Sequence, residues 1–345
     1  MSAPTHPSAT GSLLEVRDLM VRYLTPAGPL TAVDGVSLAL HRGEALGVVG
    51  ESGCGKSTLA RALLRILPAQ TEVSGRVLLD GTDLLRLREE QMRRLRWARI
   101  ALVPQSSMNA LNPVHRVGDQ IAEAIRAHRP ISSVAARRQA ESLLQAVGLD
   151  ADRFTSYPHQ LSGGQRQRVV IAMALALQPQ VLIADEPTTA LDVITQHAIV
   201  KELIRLRRAL GVAVLYISHD ISLVAQTCDR IAVMYAGRLV EVGPTRQVLH
   251  RPAHPYTMGL RNAFPDLRRA RRLISIPGAP PSLLGEVRGC PFQPRCPFAV
   301  GVCATITPPL LPGEDGRLTA CHRAAEAPAL RLLAEDERLW EQVPA

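Results

Sequence analysis

The sequence predicts an α/β fold built on a mostly parallel sheet. Three observations carry this expectation. Short apolar runs alternate with stretches of helical spacing, the pattern of a parallel sheet joined by helices. Residues 50–58 read Gly-Glu-Ser-Gly-Cys-Gly-Lys-Ser-Thr and fit the phosphate-loop pattern G-x-x-x-x-G-K-[ST]. Val181-Leu182-Ile183-Ala184-Asp185-Glu186 reads as a buried strand ending in two acids.

Met1 to Ser12 is polar and lacks the basic–apolar–small order of a secretory signal, so it reads as a disordered lead-in. Residues 13 to about 83 read as short apolar strands and turns around the loop. Ala45–Val49 leads in as a buried strand, and Leu59–Leu64 continues as a helix, the context the loop needs. Gly50, Gly53 and Gly55 let backbone N–H groups turn inward on a polyphosphate at the positive end of that helix. Glu51, Ser52, Cys54 and Thr58 complete the predicted nucleotide-contacting set. Lys56 would reach the β- and γ-phosphates, and the Ser57 hydroxyl would bind Mg²⁺. Lys56 and Lys201 are the only two lysines of a chain that otherwise uses arginine, which argues that Lys56 is there for its chemistry.

Residues 85 to 175 become rich in Arg, Ala and Leu with helical spacing, as over Ser132–Val147. Leu161-Ser162-Gly163-Gly164-Gln165 then opens a predicted helix Gln165–Leu177, and its hydroxyl and amides form a second anion site. Strand–helix alternation returns over Val181–Ala184, Ala190–Leu210, Val212–Ser218, Arg230–Tyr235, a Gly237 turn and Leu239–Val242. Asp185 is placed to hold Mg²⁺ through water, and Glu186 to orient or deprotonate an attacking water.

After about residue 250 the texture turns Pro- and Arg-rich, with too little periodic apolar sequence to pack by itself. Four of the six cysteines lie there, Cys290, Cys296, Cys303 and Cys321, separated by gaps of five, six and seventeen residues. These gaps fit neither zinc-finger nor common ferredoxin spacing, so spacing leaves a metal site and four structural thiols both open. Net charge is +9 and aromatic content 3%, without the stacking platform of an RNA binder; no nucleic-acid partner is expected. No window approaches the length of an apolar membrane span.

In this order the motifs of roughly residues 12–250 resemble the ATP-binding subunits of ABC transporters. The resemblance places Gln105 at the Q-loop, Ala190-Leu191-Asp192 at the D-loop, His219 at the switch histidine, and Tyr23 where an aromatic stacks on adenine. It implies a P-loop ATPase core at 13–250, with an antiparallel β part and a helical subdomain at about 85–175. Two such cassettes would sandwich two ATP molecules, with Lys56, Ser57, Gln105, Asp185, Glu186 and His219 serving one site. Ser162, Gly163, Gly164 and Gln165 would complete the neighbour's site, and hydrolysis would open the dimer. Asn109-Ala110-Leu111-Asn112-Pro113 would meet the membrane subunits.

His254-Pro255-Tyr256-Thr257 and Gly289-Cys290-Pro291-Phe292-Gln293-Pro294-Arg295-Cys296-Pro297 resemble the C-terminal extension, here 251–345, of peptide and nickel importer ATPases. The wording around Asp185 resembles their D-type subunit. This resemblance implies an F-type ATPase partner or a homodimer, two permease subunits and an external binding protein. It implies a peripheral position on the cytoplasmic face of the plasma membrane, and a [4Fe-4S] cluster on the four cysteines, with zinc as the alternative. A soluble ABC ATPase acting on nucleic acid or ribosomes, and a nickel-chelate importer, stand as alternatives.

Overall fold

The computed structural model describes residues 11–105, 110–189, 191–263, 273–285, 287–313 and 316–343. The predicted lead-in therefore lies almost wholly outside the described residues. Where short strands were expected, two 14-residue strands form, β1 (Ser12–Thr25) and β2 (Gly28–His41). They pair antiparallel, and β1 also pairs with β4 (Thr71–Leu79), which is followed by β5 (Thr82–Asp83). The greater length has a local cause. The ladder absorbs a bulge between Val16 and Leu19, and Asp18 within it has φ 47°. Leu14, Val16, Leu19 and Val21 consequently stay buried across the irregularity.

The second sheet has eight strands. Its parallel part comprises β3 (Ala45–Val49), β6 (Ile100–Val103), β7 (Val181–Asp185), β8 (Ala213–Ser218) and β9 (Arg230–Tyr235). An antiparallel edge follows, with β10 (Arg238–Pro244), β11 (Leu311–Pro312) and β12 (Leu318–Thr319), giving the order β11-β12-β10-β9-β3-β8-β7-β6. β3 is flanked by β8 and β9 and all five of its residues are buried, so the phosphate loop leaves the sheet from its interior.

α1 (Lys56–Leu63) follows that loop, and α2 (Glu89–Leu95) lies beyond β5. α3 (Val117–His128), α4 (Ser133–Ala146) and α5 (Gly163–Leu175) make the helical part, with Ser132 capping α4 through its hydroxyl. α5 starts two residues before the predicted Gln165 and stops before Leu177. α6 (Val193–Leu210) begins after Asp192, whose carboxylate caps it, and ends at Gly211 with φ 65°. α7 (Ile221–Thr227) is capped by Asp220.

Beyond β10 come α8 (Thr245–His250), α9 (Pro255–Asn262), α10 (Ala327–Leu333) and α11 (Glu337–Glu341). This region, expected to have too little periodic apolar sequence to pack by itself, packs against the rest of the molecule. Phe292, Phe298, Leu330 and Trp340 are buried in one core with Tyr235 and Tyr256. Apolar residues without periodicity are still apolar, and the rest of the molecule supplies the surface they bury against. Fully buried Glu241 on β10 adds a polar anchor: it accepts the Ala253 and His254 N–H groups at 2.9 Å and pairs with Arg317 at 3.3 Å. No described helix is long and apolar enough to cross a membrane.

Candidate functional site: a phosphate loop and its acid pair

The loop Gly50–Thr58 is shaped by close backbone approaches. A Cβ at Gly50 would stand 2.1 Å from the Met234 carbonyl oxygen. One at Gly55, whose φ is 105°, would stand 2.0 Å from the Ala32 carbonyl oxygen. Only glycine fits either place. Ser52 and Gly53 lie exposed at the loop's mouth, whereas the Cys54 thiol is buried and pushed up in pKa by that burial. Lys56, 5% exposed, donates from Nζ to the carbonyls of Gly50 at 2.7 Å and Glu51 at 2.8 Å. The ammonium is thus held inside the loop it would share with phosphate. Tyr23 is tied to the loop's end, its Oη 3.2 Å from Thr58 Oγ1.

At the end of β7 the Ser57 hydroxyl donates to Asp185 Oδ1 at 3.1 Å. Burial raises the Asp185 carboxyl above its ordinary range, against the pull of Ser57. Hydroxyl and carboxylate oxygens are hard donors, the kind Mg²⁺ takes, so this pair fits the ion in chemistry.

Glu186 has φ 47°, and its N–H donates to the Ile217 carbonyl at 2.8 Å. One carboxylate oxygen accepts from Gln105 Nε2 and Thr189 Oγ1, both at 2.9 Å, and the other lies 3.0 Å from His219 Nδ1. Burial opposes the charge, but the hydrogen bonds from His219 and Thr189, with Gln105, outweigh it and hold the carboxyl below its usual range. Gln105 and His219, 81 and 33 positions from Glu186 in the chain, meet on its carboxylate. Thr189 joins them without a sequence signal beyond standing three residues after the acid.

The Leu161–Gln165 turn closes on itself. Ser162 Oγ accepts the Gln165 N–H at 3.3 Å, and Gln165 Oε1 accepts the Ser162 N–H at 2.9 Å, a capping box at the start of α5. A Cβ at Gly164 would stand 2.4 Å from Thr195 Cγ2, and one at Gly163 would stand 3.3 Å from Leu191 Cδ2. The hydrogen bonds of Ser162 and Gln165 do not reach the phosphate loop of the same chain; Ser162 faces solvent. Asn109 and Ala190, predicted in the membrane-contact stretch and the D-loop, lie outside the described residues.

Cys290, Cys296, Cys303 and Cys321 line one cavity of about 20 Å³, with His254 and Phe298 among its walls. The Cys290 N–H donates to the Cys303 carbonyl at 2.8 Å. Burial, with the other thiols' charge adding, pushes Cys296 up to about 12 and Cys321 up to about 11. The predicted ligand set is gathered but not assembled. Among the described residues no group of three or more His, Cys, Asp or Glu side chains is arranged to hold a metal ion.

Two further residues reach the loop from the C-terminal region, Tyr256 at 2.9 Å and Arg295 at 2.8 Å, both through Glu51.

Comparison with known proteins shows the family. Residues 33–189 match the ABC transporter family, and residues 240–303 match the oligopeptide/dipeptide transporter C-terminal region. The chain is 48% identical over 321 residues to a probable peptide ABC transporter ATP-binding protein of Sinorhizobium fredii, covering 91% of this chain and 96% of that one. It is 44% identical over 328 residues to an oligopeptide transport ATP-binding protein of Escherichia coli, covering 94% and 97%. A dipeptide transport ATP-binding protein of Bacillus subtilis is 44% identical over 315 residues, covering 90% and 94%. Among solved structures, a dimeric ATP-binding cassette bound to ADP and phosphate superposes with a TM-score of 0.61 at 28% identity, over 68% of this chain and 99% of that one. The chain is an ABC ATPase and belongs to the ATP-binding subunits of the oligopeptide/dipeptide family of ABC transporters.

Proposed function

We propose that this ATPase powers a peptide-type importer, taking up di- or oligopeptides through two membrane permeases fed by an external binding protein. The observation that carries the peptide reading is the match of residues 240–303 to the oligopeptide/dipeptide transporter C-terminal region; the ATP chemistry rests on the convergence of Gln105, Thr189 and His219 on the Glu186 carboxylate, beside the Ser57–Asp185 pair. ATP would lie along Gly50–Thr58 with its base on Tyr23. Lys56 would bind the β- and γ-phosphates, and Ser57, Asp185 and Gln105 would hold Mg²⁺. The ion, when bound, neutralises charge building on the phosphates. Glu186, kept ionised, orients and deprotonates the attacking water, with His219 and Gln105 fixing its carboxylate.

Residues 13–250 would be the ATPase unit and 251–345 the extension. The Ser162–Gln165 turn, with Ser162 exposed, would complete the ATP site of a second cassette, an F-type subunit or another copy, at the cytoplasmic face of the membrane. A nickel chelate is the alternative cargo. A nucleic-acid or ribosome ATPase is disfavoured by the peptide-transporter C-terminal match.

The four cysteines would hold a thiolate-ligated centre. Four soft donors around one cavity fit iron–sulfur or zinc in kind. A cavity of about 20 Å³ has room for an ion-sized guest, so zinc needs less rearrangement than a [4Fe-4S] cluster. ATP turnover of the assembled transporter, stimulated by peptide-loaded binding protein, tests the reading; turnover without peptide uptake refutes the cargo.

A further inference from the structure

Glu51, the second residue of the phosphate loop, is gripped at each of its three polar groups. Its carbonyl accepts from Lys56 Nζ at 2.8 Å, inside the loop. Its N–H donates to Tyr256 Oη at 2.9 Å, and its carboxylate takes a hydrogen bond from Arg295 Nη1 at 2.8 Å. Two of the three grips therefore come from the C-terminal region, from α9 and from the 3₁₀ turn Gln293–Arg295.

Arg295 is built for one position. It is 5% exposed, and every N–H of its guanidinium has an acceptor. Nη1 donates to Glu51 and to Tyr235 Oη at 3.2 Å, and Nε donates to the Pro277 carbonyl at 2.7 Å. Nη2 donates to the Gly278 and Ile276 carbonyls at 3.2 and 3.5 Å. A surface arginine would exchange such partners with water; this one has little water to exchange with. Its tyrosine neighbours are fixed in turn. The Tyr235 and Tyr256 rings lie 4.5 Å apart, with Phe292 5.3 and 5.4 Å from them. Phe292 and Arg295 both lie between Cys290 and Cys296 in the chain.

We infer that Arg295 and Tyr256 are positioning residues of the ATP site, acting through Glu51 to set the loop and its Lys56 for phosphate. They touch no reacting atom. Their contribution is to hold the Glu51 peptide so that its carbonyl restrains the lysine and its amide keeps the loop's entry turn. The inference rests on the ATP reading of the loop and adds the C-terminal region to the nucleotide site.

A loop that must be ordered by ligand binds more weakly but reacts as before once filled. In the assembled transporter, Arg295→Gln should raise the equilibrium Kd for MgATP about tenfold, the scale of a charge-assisted hydrogen bond. KM should rise with it, while kcat at saturating ATP stays within about twofold. Arg295→Lys should recover part of the loss, and Tyr256→Phe, which removes only a hydroxyl, should raise Kd roughly threefold. Combining Arg295→Gln with Glu51→Gln should be no worse than the weaker-binding single variant, because both break one contact.

Wild-type Kd and KM in Arg295→Gln, or a kcat loss at unchanged KM, would overturn the assignment. So would additive effects in the double variant. If Arg295→Gln does not fold, Tyr256→Phe and Glu51→Gln decide, and wild-type affinity in both overturns it equally. Lys56→Ala separates the two layers: unchanged ATP affinity there refutes the ATP reading of the loop itself.

Discussion

Glu186 sits in the left-handed backbone region, uncommon for any residue but glycine, and three side chains converge on its carboxylate. A carboxylate held this way is ionised at neutral pH, as the proposed role of base requires. Replacing it with Gln should keep ATP binding, proposed for Lys56, and slow hydrolysis about 10²-fold or more. Near-normal turnover in the assembled transporter removes Glu186 from the role. The Thr189 hydroxyl favours the ionised carboxylate, so Thr189→Ala should move the Glu186 pKa up. The acid limb of the ATPase pH profile should follow upward in the same direction. An unmoved limb would leave Thr189 a turn residue only. The acid pair was legible because a strand's end fixes where its next two side chains stand. Thr189 was not, since a threonine in a turn is unremarkable until the carboxylate above it is seen.

At the scale of elements, the start of α5 shows a cap overruling propensity. Gly163 and Gly164 are poor helix formers, and a reading by propensity starts the helix at Gln165. The reciprocal Ser162–Gln165 hydrogen bonds start it two residues sooner. The same geometry leaves the Ser162 face open for a second cassette. Ser162→Arg should therefore leave ATP binding to the chain's own loop intact and abolish ATP-driven association of the two cassettes. Loss of the cap costs only about 1 kcal/mol, too little to explain such an effect by unfolding. ATP-dependent association at the wild-type level, read by light scattering of a hydrolysis-deficient pair, would contradict the cross-subunit site. The length of β1 and β2 escaped the sequence for a different reason. The bulge at Asp18 shifts the two-residue alternation, and each half alone reads as a short strand.

For the molecule as a whole, the C-terminal region is where sequence was least informative, because its order comes from tertiary contacts. Phe298 packs edge-on against Trp340, with ring centroids 6.5 Å apart, and Glu241 ties the region to the sheet. Cys296→Ser should accordingly loosen residues 285–325 without releasing them, seen as several-fold faster proteolysis, and should leave Lys56 competent for ATP. Anaerobic purification with metal and sulfide analysis tests the proposed centre: about four irons and four sulfides per chain would mark a cluster, and one zinc the simpler site. Metal-free protein with wild-type transport would leave the four cysteines as ordinary structural thiols. The contact between Glu51 and Arg295 spans 244 positions of the chain. A ribosome adding residues at about 5–20 per second needs roughly 12–50 s to cover that distance. Throughout that interval the nascent chain carries a finished phosphate loop whose outer clamp has yet to be synthesised. A chain that stalls or is released before residue 295 thus has every residue of the loop and lacks the arginine that pins it.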